Sequence, residues 1–220
     1  MGYYFDIDYI IRSLPLLGKG ALMTIEVSAA TILLSSIFAL PLAFLRVSKN
    51  KYISGAMYYY VQVMRNTPTL IKIYIAYFGL PSLGVMLNPV AAGLLALVTD
   101  HIAYVVEIYR AGILSVGRGQ VQAAKAIGLR NWQVNYHIVI PQAFIQSLPA
   151  LGNQFVIAIK DSSLLVTISV MELTMVGNRM AEATGNSYEV FLVTALIYLV
   201  IITTMSLFLK TVEKKKRFTY

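Results

Sequence analysis

Residues 21–45 read ALMTIEVSAATILLSSIFALPLAFL and contain one ionisable side chain, Glu26. A hydrocarbon core about 30 Å thick is crossed by about 20 mostly apolar helical residues, and this run is long enough. Four further segments meet the same criterion: about Met57 to Leu80, about Pro89 to Ile113, from Pro141 to about Ile159, and about Val190 to Leu209. Lipid offers no partner to open backbone groups, so every crossing is predicted to be helical. The expected fold class is an all-α integral membrane protein with five transmembrane helices. Residues 1–20 form an external N-terminal segment in this reading, 21–210 the transmembrane domain and 211–220 a basic cytoplasmic tail.

The whole chain supports this. Apolar residues make up 58% of 220 and charged residues only 13%, a balance far from that of soluble domains. The net charge of +8 does not point to nucleic acid, because the basic residues flank apolar runs instead of forming a stripe with interleaved aromatics. Cysteine is absent, which excludes disulfides and Cys-based zinc sites. Asp6, Asp8 and Arg12 precede the first long apolar run and argue against a cleavable leader.

The basic residues also predict orientation. Arg46, Lys49 and Lys51 lie between the first two spans, Arg118, Lys125 and Arg130 between the third and fourth, and Lys210, Lys214, Lys215, Lys216 and Arg217 after the fifth. All three zones fall on one side, read as cytoplasmic, which leaves the N-terminus outside. The tail is then an anchor at anionic lipid headgroups. Residues from about Ser162 to Glu189 hold Glu172, Gly177, Arg179, Glu182 and Gly185 and are read as a short helix at the outer surface. A sixth span over Leu164 to Val176 is the competing topology.

The loop 117–141 is too polar for lipid. Gln120 to Ile127 is a run of helix formers, and Gly128 stands where a helix ends in a left-handed residue. Asn131 is placed to cap a second short helix, which is expected to stop before Pro141, with Trp132 packing between the two. Ala123 and Ala124 allow a close approach to another protein.

This loop resembles the EAA loop of binding-protein-dependent ABC importer permeases. Ala123, Ala124, Gly128, Ile138 and Pro141 fall on its pattern, and Gln122 replaces the motif glutamate. Arg65-Asn66-Thr67-Pro68, Ala103-Tyr104-Val105-Val106-Glu107-Ile108 and Lys160-Asp161-Ser162-Ser163-Leu164 are similar to three signatures of the amino-acid subgroup, in the same order. The resemblance implies the type I importer permease fold in a bacterial inner membrane, with the loop as a coupling helix. Gln120, Gln122, Ala123, Ala124, Lys125, Gly128 and Leu129 are the expected coupling residues. It also implies two cytoplasmic ATPase subunits, a second permease copy or a paralogue, an external binding protein and an amino-acid substrate. The chain has no Gly-x-x-x-x-Gly-Lys-Ser/Thr, so it is expected not to be an enzyme, and ATP and Mg²⁺ belong to the partner ATPase.

Ionisable groups at membrane depth cost at least about 2.5 kcal/mol each and call for reasons. Asp100 falls near the middle of the third span, beside His101. Both are candidates for the substrate pathway, with a structural pair between Asp100 and Lys72 or Lys160 as the alternative; as a pathway group Asp100 inclines toward a cationic or zwitterionic amino acid. Lys160 and Asp161 are pathway candidates too, or an interfacial anchor. Arg65 and Glu107 read as an ion pair inside the bundle. Pro68 is expected to kink the second span. The rival function is an ion-coupled carrier or channel routed through Asp100, His101 and Lys160.

Overall fold

The computed structural model describes residues 7–185 and 187–217, and the described residues are helical with short connections. Asp6, residues 218–220 and the side chains of Lys214–Arg217 lie outside them, so the lipid-anchor role expected of the tail falls on undescribed groups. The order is α1 (Ile7–Arg46), α2 (Lys51–Asn66), α3 (Thr69–Tyr74), α4 (Pro89–Ser115), α5 (Arg118–Ala126), α6 (Asn131–Val134), α7 (Ile140–Asp161), α8 (Leu173–Thr184) and α9 (Ser187–Arg217). A π-turn (Ile75–Gly79) and a 3₁₀ turn (Leu80–Leu83) extend α3, a π-turn (Asn135–Val139) joins α6 to α7, and a 3₁₀ segment (Ser162–Ile168) follows α7.

Three stretches among the described residues are long and apolar enough to cross a bilayer, Ile11–Arg46, Pro89–Ser115 and Ser187–Thr211, and Thr69–Leu83 is a shorter apolar helix. Residues 7–20 are the opening turns of α1 and not a separate segment, because Ile11, Leu14, Leu16 and Leu17 extend the apolar run upstream of Ala21. The second expected span is broken, not kinked. Proline disfavours the helical region for the residue before it, and Thr67 is accordingly extended at φ −97°, ψ 129°. The carbonyl of Pro68 then accepts the amides of Ile71 and Lys72 and starts α3.

Leu164 to Val176 does not form one helix. A 3₁₀ segment ends at Ser169, φ +62°, and α8 starts only at Leu173. The short helix expected in this stretch is α8, with Leu173, Val176, Met180 and Ala181 buried. Glu172 caps it, accepting the amides of Thr174 (2.9 Å) and Met175 (2.8 Å). Tyr198 on α9 donates its hydroxyl to the same carboxylate at 2.8 Å. Burial raises the Glu172 pKa, while these donors pull against the rise.

The chain forms two compact units. The first gathers the described part of Met1–Ile32 with Pro68–Val98 and Phe155–Met205, and the second Leu33–Thr67, Thr99–Gln154 and the described part of Ser206–Tyr220. The first unit has two apolar cores. One joins Val27, Ile73, Leu97, Leu165 and Ile168, and the other joins Leu17, Leu173, Val176 and Val190. Small residues bring its helices together. A Cβ on Gly20 would lie 3.0 Å from the Leu173 Cα, and one on Gly177 would lie 2.7 Å from the Thr194 hydroxyl. Hydroxyls satisfy backbone groups at these crossings: Thr24 accepts the Leu173 amide at 3.2 Å, and Ser28 donates to the Ala158 carbonyl at 3.3 Å. The second unit has a core around Val116, Ala124, Val134, Val139 and Ala143, and it carries the charged network and the cavity.

Candidate functional site

The loop 117–141 folds into a small knob. Helix α5 ends as the sequence pattern suggests, with Gly128 at φ +87°. The Leu129 amide reaches the Ala124 carbonyl (3.2 Å) and the Gly128 amide the Lys125 carbonyl (3.0 Å), the paired bonds of a Schellman ending. Ala124 is buried, and Val121 and Leu129 pack into the same core. Gln120, Gln122, Ala123 and Lys125 are exposed. So is Ile127, at 80%.

Three local expectations fail in this knob. Arg130, not Asn131, precedes the first residue of α6, and its amide is held by the Gln133 carboxamide at 2.8 Å. Pro141 does not stop the chain's helix. The Ile140 amide bonds the Asn135 carbonyl in a π-turn, and this wider turn carries the helix through a proline that has no N–H to give. Trp132 does not pack between the two short helices; it is 61% exposed, beside an exposed Tyr136.

Adjoining the knob, the second unit holds an open cavity of about 460 Å³, within the usual size of small-molecule sites, about 300–1,000 Å³. Arg65, Tyr104 and Glu107 line it together with Gln146, Ser147 and Gln154 of α7. A second hollow of about 310 Å³ shares Ser115 and Gln146 with it and reaches Gln120 and Gln142, whose side chains are bonded at 2.6 Å. A polar seam therefore connects the cavity to the first turn of α5.

The Arg65–Glu107 ion pair is not formed. Glu107 binds Arg46 (3.1 Å) and Arg110 (2.7 Å) instead, because α1 ends with Arg46 beside α4 and Arg110 lies one turn along α4 itself. Arg65 stacks its guanidinium over the Tyr104 ring, 5.1 Å from the centroid. Arg46 also stacks on Tyr58 at 5.1 Å, and its carbonyl accepts the Ser54 hydroxyl at 2.8 Å. It ties α1, α2 and α4 together. The sequence had shown it only as a topology marker.

Asp100 and His101 are both buried in the second unit. The Gln154 carboxamide and His101 Nδ1 are hydrogen-bonded at 2.9 Å. Since Gln154 also lines the cavity, His101 stands behind the wall and not on it. Lys160, exposed, and Asp161, half-buried, close α7 and belong to the first unit. Gln142, Gln146 and Gln154 were missed; their only signal in the sequence is a set of glutamines four and eight residues apart, which one helix face would align.

Residues 31–218 match the family described as binding-protein-dependent transport system inner membrane component. The nopaline transport system permease protein NocM of Agrobacterium fabrum is 35% identical over 206 residues, covering 89% of this chain and 86% of that protein. The glutamine transport system permease protein GlnP of Escherichia coli K12 is 30% identical over 215 residues, covering 97% and 98%. Among solved structures, an amino acid ABC transporter crystallised with histidines superposes with a TM-score of 0.88 at 31% identity, over 97% of this chain and all of that one. The helical architecture is thus the type I importer permease fold. By the length matched and the identity to these relatives, the chain belongs to the family of binding-protein-dependent ABC transport permeases, the inner-membrane components of such systems.

Proposed function

We propose that the chain is the membrane subunit of an ATP-driven importer of amino acids, with the knob α5–α6 docking on the ATPase and the second unit's cavity on the substrate's path. The relatives named for glutamine and nopaline transport support the substrate class. Two ATPase subunits, a second permease copy or paralogue and an external binding protein complete the assembly. The N-terminus faces outward and the C-terminus the cytoplasm.

The observation that carries this reading is the knob's surface. Ile127 stands 80% exposed on a turn fixed by two backbone bonds, flanked by exposed Gln122, Ala123 and Lys125. Held on this fixed turn, the isoleucine is presented to a partner's groove in one geometry, which lowers the ordering cost of docking. Gln122 keeps a hydrogen-bonding head where the family motif has a charge. The hydrogen bond from Gln142 to Gln120 links the docked helix to α7, so movement at the ATPase reaches the cavity wall. Asp100, His101, Lys160 and Asp161 remain pathway candidates in this scheme, His101 acting through Gln154.

The test is uptake into proteoliposomes holding the permease with its ATPase and binding protein. Uptake of a labelled amino acid should require internal ATP and persist when ion gradients are collapsed; uptake that follows the gradient instead would establish the ion-coupled carrier. Ile127→Asp should lower ATP-driven uptake more than about tenfold while the thermal midpoint of the purified chain stays put, since a surface substitution costs the fold within about 0.5 kcal/mol.

A further inference from the structure

The cavity's wall has a sign. Arg65 and Glu107 are its two charged lining residues, but Glu107 is already engaged through both oxygens, by Arg46 at 3.1 Å and by Arg110 at 2.7 Å. Two guanidiniums thus hold this one carboxylate and more than offset its charge, and Arg65, which does not pair with it, adds a further positive charge to the wall. Its guanidinium lies over the Tyr104 ring, 5.1 Å from the centroid, on an exposed side chain, and a guanidinium is the group that grips a carboxylate with two parallel bonds. The rest of the polar lining is neutral: Gln146, Gln154, Ser115 and Ser147. Asp100 is buried on the same helix as Tyr104 and Glu107 but does not line the cavity.

We infer that this cavity receives the carboxylate end of zwitterionic or anionic amino acids on Arg65 and discriminates against cationic ones. The inference rests on the importer reading for its substrate and goes beyond it in naming the class. A second cationic group entering the cavity meets the surplus positive charge with Glu107 unavailable, whereas an amide or carboxylate side chain finds glutamine and serine donors. Asp100 alone inclines toward a cationic or zwitterionic substrate, and the charge of the cavity wall favours the zwitterionic half of that reading. The deciding carboxylate is Glu107, and two arginines have neutralised it.

The chain has no cysteine, so one introduced thiol reports the local potential. Ala111 is exposed and lines the cavity, which makes Ala111→Cys the probe and Tyr52→Cys, at a position 90% exposed, the reference. In the purified permease–ATPase complex at low salt, modification of this chain by the anionic sulfonatoethyl and the cationic trimethylammonioethyl methanethiosulfonates is followed by mass. The anionic-to-cationic rate ratio at position 111 should exceed that at position 52 by about tenfold, the lower end of what a cleft of one sign achieves. Arg65→Gln should remove most of the excess. Glutamine or glutamate, and not lysine, should slow the reaction of the thiol at position 111 with neutral methyl methanethiosulfonate.

A ratio at position 111 equal to or below the reference, or protection by lysine matching that by glutamine, would overturn the inference. Neither readout needs transport. An inverted ratio with intact ATP-driven uptake removes the charge selection alone, whereas the expected ratio in a complex without ATP-driven uptake supports the cavity's polarity and removes the importer reading.

Discussion

The two compact units bury their helices by different means. In the first, glycines and small hydroxylated residues let helices meet over apolar cores, and the one buried acid with a described role, Glu172, serves as a helix cap. In the second, the apolar core is built around the knob, and an open cavity with several polar side chains on its wall lies beside a three-residue ionic network. Without a hydrophobic drive between helices in lipid, close van der Waals packing has to stabilise the bundle. A unit that holds an open cavity gives up part of that packing and relies on a few tight crossings and charge pairs.

One tight crossing in the second unit should therefore be the most sensitive point. A Cβ on Gly112 would lie 2.5 Å from the Ser147 hydroxyl and 2.6 Å from the Ala143 carbonyl oxygen. A backbone atom cannot step aside, so Gly112→Ala should lower stability by about 3 kcal/mol, the upper part of the overpacking range. In the first unit Gly20 and Gly93 differ. Gly20→Ala meets the Leu173 backbone at 3.0 Å and should cost about 1–2 kcal/mol. Gly93→Ala meets only the tip of the Leu165 side chain, which can rotate, and the helix propensity of alanine offsets about 1 kcal/mol. Thermal midpoints in detergent should rank Gly112→Ala lowest and Gly93→Ala near wild type. Equal losses at positions 112 and 93 would break the contrast between the units.

The ionic network comes next in size. Glu107 and Arg46 keep about a fifth of their side chains exposed, which places the pair between surface and fully buried bridges. Glu107→Gln strands two guanidiniums and should cost about 2–3 kcal/mol. Arg46→Gln leaves Glu107 with Arg110 and should cost about 1 kcal/mol. Since the two share a partner, the double variant should lose less than the sum, which a double-mutant cycle on thermal midpoints would measure.

Why the sequence revealed some of this and not the rest follows from the range of the forces involved. The α4 and α9 spans, the Gly128 turn and the helical knob depend on length, hydropathy and local backbone preference, all of which operate within a few residues. Pro68 was recognisable as a disruption, but its outcome depended on whether its carbonyl could start a new turn for Ile71 and Lys72. Pro141 looked the same in sequence and gave the opposite result, because a π-turn absorbed it. The pairing of Glu107 was illegible for another reason. Arg46, Arg65 and Arg110 offered the same charge, and which one reaches the carboxylate is settled by helix packing 61 residues away in the chain. The glutamines of the two hollows left no mark beyond the spacing of Gln142, Gln146 and Gln154, since uncharged side chains do not enter the topology rule and offer no ion pair to look for.

The smallest expected effect tests the one acid that the first unit keeps as a cap. Burial raises the Glu172 pKa above the ordinary glutamate range, against the pull of the Thr174 and Met175 amides and the Tyr198 hydroxyl. A raised acid holds its proton in the folded chain at a pH where the unfolded chain has released it, so the folded state binds more protons in that window. Stability from this group is therefore complete below the ordinary glutamate pKa and is lost as pH rises through the raised value. Glu172→Gln, which cannot titrate, should flatten that slope in thermal midpoints recorded across the acidic range, at the cost of a weaker cap. Tyr198→Phe removes one donor to the charged form, costing about 1 kcal/mol, and should steepen the slope because the carboxylate is then harder to keep ionised. If wild type instead gained stability through that window, the amides and the hydroxyl would outweigh burial at this site, and the cap would be an electrostatic anchor of α8, akin to the charged network of the second unit.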